Sequence, residues 1–301
     1  MYEPVNLPSA SSPPRSKVSI DNFLGADLTS EPANVDTSHS PDCPNMIRDV
    51  PGKVRKRMGW AVKETYAGKI NGCYKLNGDV LIHAGTKLYK AGVEVYTGMA
   101  DARGKSWELN EKLYIADGLA LLVYDGSTVK KAQDIAYVPT KTIARAPNGG
   151  GTSYEALNLL QPKFTETFLG VANEKNYQLS FGGLDAAAVT VKLLQSNGSW
   201  VDKVETTDFT VNRQAGIVTF ITAPGASPVA GQDNVLITAS RTVAGYADRV
   251  NKCSIGIAFG VSGAQDRLFL SGNPDLKNYD WYSGLNDPTY FGDTSYAVLG
   301  Q

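Results

Sequence analysis

Asp266-Arg267-Leu268-Phe269-Leu270-Ser271-Gly272-Asn273-Pro274 is the stretch whose reading decides the fold class, because two earlier segments carry the same short design. They are Leu76-Asn77-Gly78-Asp79-Val80-Leu81-Ile82-His83-Ala84-Gly85 and Leu109-Asn110-Glu111-Lys112-Leu113-Tyr114-Ile115-Ala116-Asp117-Gly118. These begin at positions 76 and 109, a spacing of 33 residues. Each places a polar turn before a run of apolar residues, then a small or acidic residue and glycine, the pattern of a tight hairpin feeding a buried strand. In the first two copies another strand follows at once. Lys87-Leu88-Tyr89-Lys90 leads through Ala91-Gly92 into Val93-Glu94-Val95-Tyr96, and Leu121-Leu122-Val123-Tyr124 runs into Asp125-Gly126, a strong hairpin signal. Strand, turn and strand repeating at roughly 30–45 residues is how a propeller blade reads. An ordinary antiparallel meander with similar hairpins fits the same spacing, and either reading gives an all-β protein.

The composition suits that class. The chain has 301 residues, 42% of them hydrophobic and 20% charged, which is enough apolar material for more than one core. Thirty glycines and fifteen tyrosines fit turn-rich sheets, and no long 3.6-residue apolar period is present, so helix should be scarce. Residues 1–17, rich in proline and serine, read as a flexible N-terminal arm. Residues 18–146 read as the first part of a propeller-like domain, closed off by the glycine run in Ala146-Pro147-Asn148-Gly149-Gly150-Gly151. Residues 147–247 hold five short alternating segments and read as an inserted small β-sandwich, within which Asn197-Gly198 predicts a type I′ hairpin. Residues 248–301 resume the propeller-like domain. A closed propeller takes about four or more blades. With three units recognisable, completion is expected from a longer polypeptide, from the arm or from a neighbouring chain.

Groups that carry chemistry are sparse. His39 and His83 are the two histidines, and His83 alternates with apolar strand residues. Asp185, Asp202, Asp208, Asp266, Asp275 and Asp280 offer carboxylates, but most fall in predicted turns, where aspartate bonds its own backbone. Cys43, Cys73 and Cys253 are widely spaced and read as reduced structural thiols. No enzyme, metal site or cofactor is expected, and no window is apolar for long enough to insert in a membrane. The formal net charge of −1 gives no global case for nucleic acid, but Val50-Pro51-Gly52-Lys53 predicts a type II turn that opens a local basic run. In that run Lys53, Arg55, Lys56 and Arg57 are candidates for a DNA-facing edge or an interface, beside the plainer reading as a polar strand. Tyr279, Trp281, Tyr282, Tyr290 and Phe291 form an aromatic constellation, a candidate glycan surface or a set of rings that plug the end of a propeller or interdigitate with a neighbouring subunit.

Several of these segments together resemble virion proteins of tailed bacteriophages. They are residues 266–274, Asp280-Trp281-Tyr282-Ser283, Asp287-Pro288-Thr289-Tyr290-Phe291, Asn45-Met46-Ile47-Arg48 and Gly52-Lys53-Val54-Arg55-Lys56-Arg57-Met58-Gly59. The resemblance is to β-propeller tail components related to tail nozzle and packaged-DNA-stabilisation proteins. Asp208-Phe209-Thr210-Val211 with Gly216-Ile217-Val218-Thr219-Phe220 is similar to small β-modules of phage tail and fibre proteins. The resemblance implies a structural tail component of connector, nozzle or baseplate type, assembled in the bacterial cytoplasm and residing in the virion. Its implied partners are itself, as a homo-oligomeric ring, other tail or connector proteins, and packaged DNA through the basic run. The alternative expectation is a carbohydrate-binding or receptor-recognising tail protein, motivated by the aromatic constellation.

Overall fold

The computed structural model, which describes residues 14–260 and 266–300, is nearly all-β and distributes its strands over several separate sheets. The expected arm falls outside the described residues except for residues 14–17, which are exposed. Gly263-Ala264-Gln265, just ahead of the third copy, also lies outside them.

The repeated segments become antiparallel meanders of four strands each. The first meander runs through Ile70–Leu76, Asp79–Ala84, Lys87–Lys90 and Val93–Thr97. The second uses Lys105–Leu109, Lys112–Ala116, Leu121–Tyr124 and Val129–Lys131. The third uses Ile255–Phe259, Arg267–Ser271, Tyr279–Tyr282 and Tyr296–Val298. Their registers are set by two-residue loops. Leu76 pairs with Asp79 across Asn77-Gly78, whose φ values are +46° and +98°, and Lys90 pairs with Val93 across Ala91-Gly92, at +48° and +78°. Leu109 pairs with Lys112 across Asn110-Glu111, at +50° and +59°. Positive φ at both loop positions is the type I′ geometry whose twist matches that of the flanking strands.

Two cores lie between the meanders. Tyr74, Leu76, Leu81 and Leu88 of the first meander pack with Leu113, Ile115, Leu122 and Tyr124 of the second. The opposite face of the second, with Leu109, Tyr114, Ala116, Leu121 and Val123, packs with Leu268, Leu270 and Trp281 of the third. The second meander is therefore covered on both sides, and all four residues of Leu121–Tyr124 are buried. A continuous apolar run is what a strand buried on both faces needs, and each such side chain contributes about 1.5–3 kcal/mol on burial. The first strands of successive meanders lie next to one another, joined where the Trp107 indole N–H donates to the Gly256 carbonyl at 2.9 Å.

Between the second and third meanders, residues 140–240 build two further sheets. One has six strands, with Lys163–Phe168 and Val235–Ser240 at its centre, and the other has three, with Ile217–Phe220 in the middle. They share one core, in which Phe164, Phe168, Val191 and Ile237 from the larger sheet meet Tyr177, Phe209 and Phe220 from the smaller. Tyr177 stands edge-on to Phe168 at 5.4 Å and to Phe220 at 5.2 Å between ring centroids, a favourable arrangement for aromatic quadrupoles. In the Asn197-Gly198 hairpin only Gly198 takes positive φ, at +81°. With Gln195 N–H donating to Ser199 O, the loop is a three-residue turn with glycine in the left-handed position, not the predicted type I′ turn.

The described residues up to Thr65 form a separate compact unit. Gly25–Ala26 pairs in parallel with His39–Ser40, and Met46–Ile47 pairs antiparallel with Arg55–Lys56. The turn before the basic run forms as predicted, with Lys53 N–H donating to Val50 O at 3.1 Å and Gly52 at φ +76°. The α-helix Tyr246–Asn251, just ahead of the third meander, is the one α-helix among the described residues.

Candidate functional site

Sheet pairing assigns every meander residue to one of two faces, because paired residues point the same way and successive residues alternate. The face that looks onward along the stack is here called forward and the other rear. On the first strand, the forward positions are Tyr74 and Leu76 in the first meander and Trp107 and Leu109 in the second. The rear positions are Cys73 and Lys75 in the first and Ser106 and Glu108 in the second. In the third meander Gly256 and Ala258 take the rear positions, paired with Leu270 and Leu268. Its forward positions are Ile255, Ile257 and Phe259, which are 59%, 58% and 57% exposed.

The forward face of the third meander continues across the sheet. Ile257 pairs with Phe269, and Phe269 pairs with Tyr282. The Phe269 ring lies 6.3 Å from Phe259 and 5.9 Å from Tyr282, and the Arg267 guanidinium covers the Tyr282 ring at 5.5 Å. Five apolar or aromatic side chains thus make a sheet face with one cation on it. Scattered exposed apolar residues are ordinary, but a contiguous set across three strands marks a contact surface.

The aromatic constellation is divided by this geometry. Trp281 is 1% exposed and Phe291 fully buried, both in the core between the second and third meanders. Tyr279 stacks on Trp281 at 5.6 Å with an interplanar angle of 17°. Tyr290 donates its hydroxyl to the Ala156 carbonyl at 3.0 Å and lies edge-on to Tyr137. Tyr282 alone of the five joins the exposed forward face. The five rings therefore do not form one exposed surface.

The basic run is exposed around its hairpin. Arg55 pairs with Asp49, which holds that carboxyl below its ordinary value, and the Arg57 guanidinium donates to Asn45 Oδ1 at 3.3 Å. His39 sits on a short strand of the N-terminal unit, and His83 is fully buried with Nδ1 3.4 Å from the Tyr74 hydroxyl. Of the six aspartates, Asp202 and Asp280 lie on strands. Asp185 bonds far from its own turn, accepting from the Thr242 backbone N–H at 3.0 Å and its hydroxyl at 2.9 Å, whereas Asp287 accepts locally from the Thr289 backbone N–H at 2.9 Å as turn chemistry requires. Among the described residues no cluster of three or more His, Cys, Asp or Glu is placed to hold a metal ion, and no helix is long and apolar enough to cross a membrane.

Two polar arrangements were not legible in the sequence. Lys90 of the first meander donates to Asp79 at 2.7 Å and to the Tyr124 hydroxyl of the second at 2.8 Å, and Tyr124 donates to Asp79 at 2.7 Å. This closed triangle ties the two meanders at their rim. In the two-sheet region Glu166 is fully buried, accepts from the Ser180 backbone N–H at 3.1 Å and lies 3.6 Å from the Arg145 guanidinium. Burial raises the Glu166 carboxyl against the opposing pull of Ser180 and Arg145. No local motif announces either set, since the members come from strands distant in sequence.

No protein-family model matches the chain, and no curated protein matches it in sequence.

Proposed function

We propose that the chain is a structural component of a bacteriophage tail, of connector, nozzle or baseplate type, which works by assembling with itself and with other tail or connector proteins. On this reading the three stacked meanders are blades of a partial β-propeller, and residues 147–247 are a β-sandwich inserted between the second and third. The observation that carries it is the exposed forward face of the third meander, an apolar sheet surface of the kind that both internal stacking steps cover. The sequence resemblance of residues 266–274 and 280–291 to phage tail components supports the same reading. The basic hairpin at Lys53, Arg55, Lys56 and Arg57 is the proposed edge for packaged DNA.

The test is location. Antibody raised against the chain, applied to purified tailed particles from a producing culture, should decorate one end of the tail, and the chain should appear in the mass spectrum of washed particles. Particles that carry none of it, with the protein free in the lysate, would refute the assignment.

A further inference from the structure

We infer that the exposed forward face of the third meander binds the rear face of the first meander on a second copy of this chain, head to tail. Within one chain the stack already takes this step twice. The forward face of the first meander meets the rear face of the second through Leu81 and Leu88 against Leu113 and Ile115. The forward face of the second meets the rear face of the third through Tyr114 and Val123 against Leu268 and Leu270.

The two kinds of face differ in composition in the same way each time. Forward faces carry large apolar groups on the first strand: Tyr74 and Leu76, Trp107 and Leu109, then Ile255, Ile257 and Phe259. Rear faces carry polar or small groups there, Cys73 and Lys75, Ser106 and Glu108, Gly256 and Ala258, and place their apolar residues on the second strand. The first-strand apolar groups of the first two forward faces are buried or partly buried, whereas those of the third are more than half exposed. One rear face is open to match it, on the first meander. There Val80 is 46% exposed and Ile82 and Tyr89 are half-buried, with Tyr66 resting on Tyr89. Val80 and Ile82 stand 33 residues before Leu113 and Ile115, the residues that fill the same role inside the chain. A second copy therefore offers the surface that the internal pattern prescribes for the open face. Contact of unlike faces propagates in one direction and closes into a ring when the rotation permits.

The inference rests on the assembly reading and sharpens it. Its test is sedimentation of the purified full chain over a wide concentration range, with Ile257→Asp as a forward-face variant, Ile255→Lys as a second, and Val80→Asp as a rear-face variant. Circular dichroism and the urea midpoint establish that each variant is folded; all three positions are exposed enough to accept a charge. The wild type should form species larger than the monomer, and each variant alone should associate at least about thirtyfold more weakly. An equimolar mixture of Ile257→Asp and Val80→Asp should give a one-to-one dimer and nothing larger, because each supplies the face the other lacks. A wild type monomeric at every concentration would overturn the inference. So would a mixture that stays monomeric, or a Val80→Asp variant that still self-associates as the wild type does. If the chain is found in particles while any of these holds, the head-to-tail contact fails and the tail assignment stands.

Discussion

Replacing Gly256 by alanine tests the stacking of the second and third meanders at its tightest point. Gly256 lies on the first strand of the third meander, paired with Leu270, and a methyl group on its Cα would sit 2.6 Å from the Phe269 carbonyl oxygen. The same methyl would lie 2.8 Å from Leu270 Cδ2 and 2.9 Å from Trp107 Cζ2. Carbon atoms pack at about 3.5–4.0 Å, so every neighbour must yield by more than half an ångström. The leucine methyl can rotate away. The carbonyl belongs to the strand ladder, and the indole is held by its own bond to the Gly256 carbonyl at 2.9 Å. Relief must therefore come from loosening the pairing of the third meander's first two strands, where the carbonyl sits, and from parting the two meanders, where the indole sits; the overpacking costs about 1–3 kcal/mol and the indole's hydrogen bond about 1 kcal/mol. The expected loss of unfolding free energy is about 2–4 kcal/mol. Urea titration followed by tryptophan fluorescence reads it directly, because Trp107 and Trp281 both belong to this core. Gly59→Ala, where an added methyl meets nothing within 4 Å, serves as control and should change stability by no more than about 0.5 kcal/mol. A Gly256→Ala midpoint equal to the wild-type value would refute the close packing described here.

Four other outcomes follow from particular residues. Asp117, 4% exposed, accepts the backbone N–H groups of Ala100, Leu119 and Ala120 at 2.8, 2.9 and 3.0 Å. Asp117→Ala should cost at least about 2 kcal/mol in urea unfolding and Asp117→Asn distinctly less; equal costs would show that those bonds contribute little. Glu111 holds the left-handed position that Gly78 fills in the preceding repeat, so Glu111→Gly should raise stability by roughly 0.5–1 kcal/mol, and a destabilised variant would contradict the turn assignment. Because burial raises the Glu166 carboxyl above its ordinary 4.5, the folded chain holds that proton more tightly than the unfolded chain. Its contribution is therefore present below the ordinary value and is lost as pH rises through the folded pKa. Glu166→Gln should flatten that decline as pH rises above the ordinary carboxylate range, and an unchanged slope would remove Glu166 as its source. Cys253, fully buried, has its thiol pushed up to about 12 by desolvation first and the Asp280 charge second, so it should resist a thiol reagent until the chain unfolds. Exposed Cys73 should react at once, and equal rates for the two would contradict the core placement of Cys253.

Much of the β architecture was legible because it is written in two residue types at short range. Asn77-Gly78 and Pro51-Gly52 supply positive φ where a tight turn demands it, and both turns form. Asn110-Glu111 makes the same turn with a residue that does not advertise it, and it was readable only through the 33-residue repeat. The third copy shares the motif of the first two but not their register. Aligning Gly272 with Gly85 and Gly118 places Leu268 and Leu270 alongside Leu81 and His83, on the side facing onward. In the structure they face back toward the second meander. A shift of one residue moves every side chain of a strand to the other face, so a motif match that is right about the strand can be wrong about its surroundings. The aromatic constellation is divided for a related reason. Adjacent residues of a strand point to opposite faces, so Trp281 enters the core while Tyr282 faces out.

The two ends of the stack are not equivalent, and the difference can be read from how each sheet meets water. On the open rear face of the first meander, Lys75 is exposed and Lys87 and Glu94 are paired at 2.6 Å, so charge breaks up the apolar surface around Val80 and Ile82. Charges placed on an exposed sheet restrain indiscriminate pairing. The forward face of the third meander carries no comparable interruption on its first strand, where Ile255, Ile257 and Phe259 follow one another at alternate positions. Alternate apolar residues on one side of a strand specify a face to be covered. A rear surface that tolerates solvent and a forward surface that does not are what a directional contact requires. The charged side remains soluble until a partner arrives, and the apolar side supplies the gain on association. Adding charge should therefore be tolerated structurally on both faces, yet weaken association far more at Ile257 than at Lys75, where a Lys75→Glu variant should associate within a few fold of the wild type. Equal sensitivity at the two positions would show that the contact is electrostatic and that the apolar strand is not its centre.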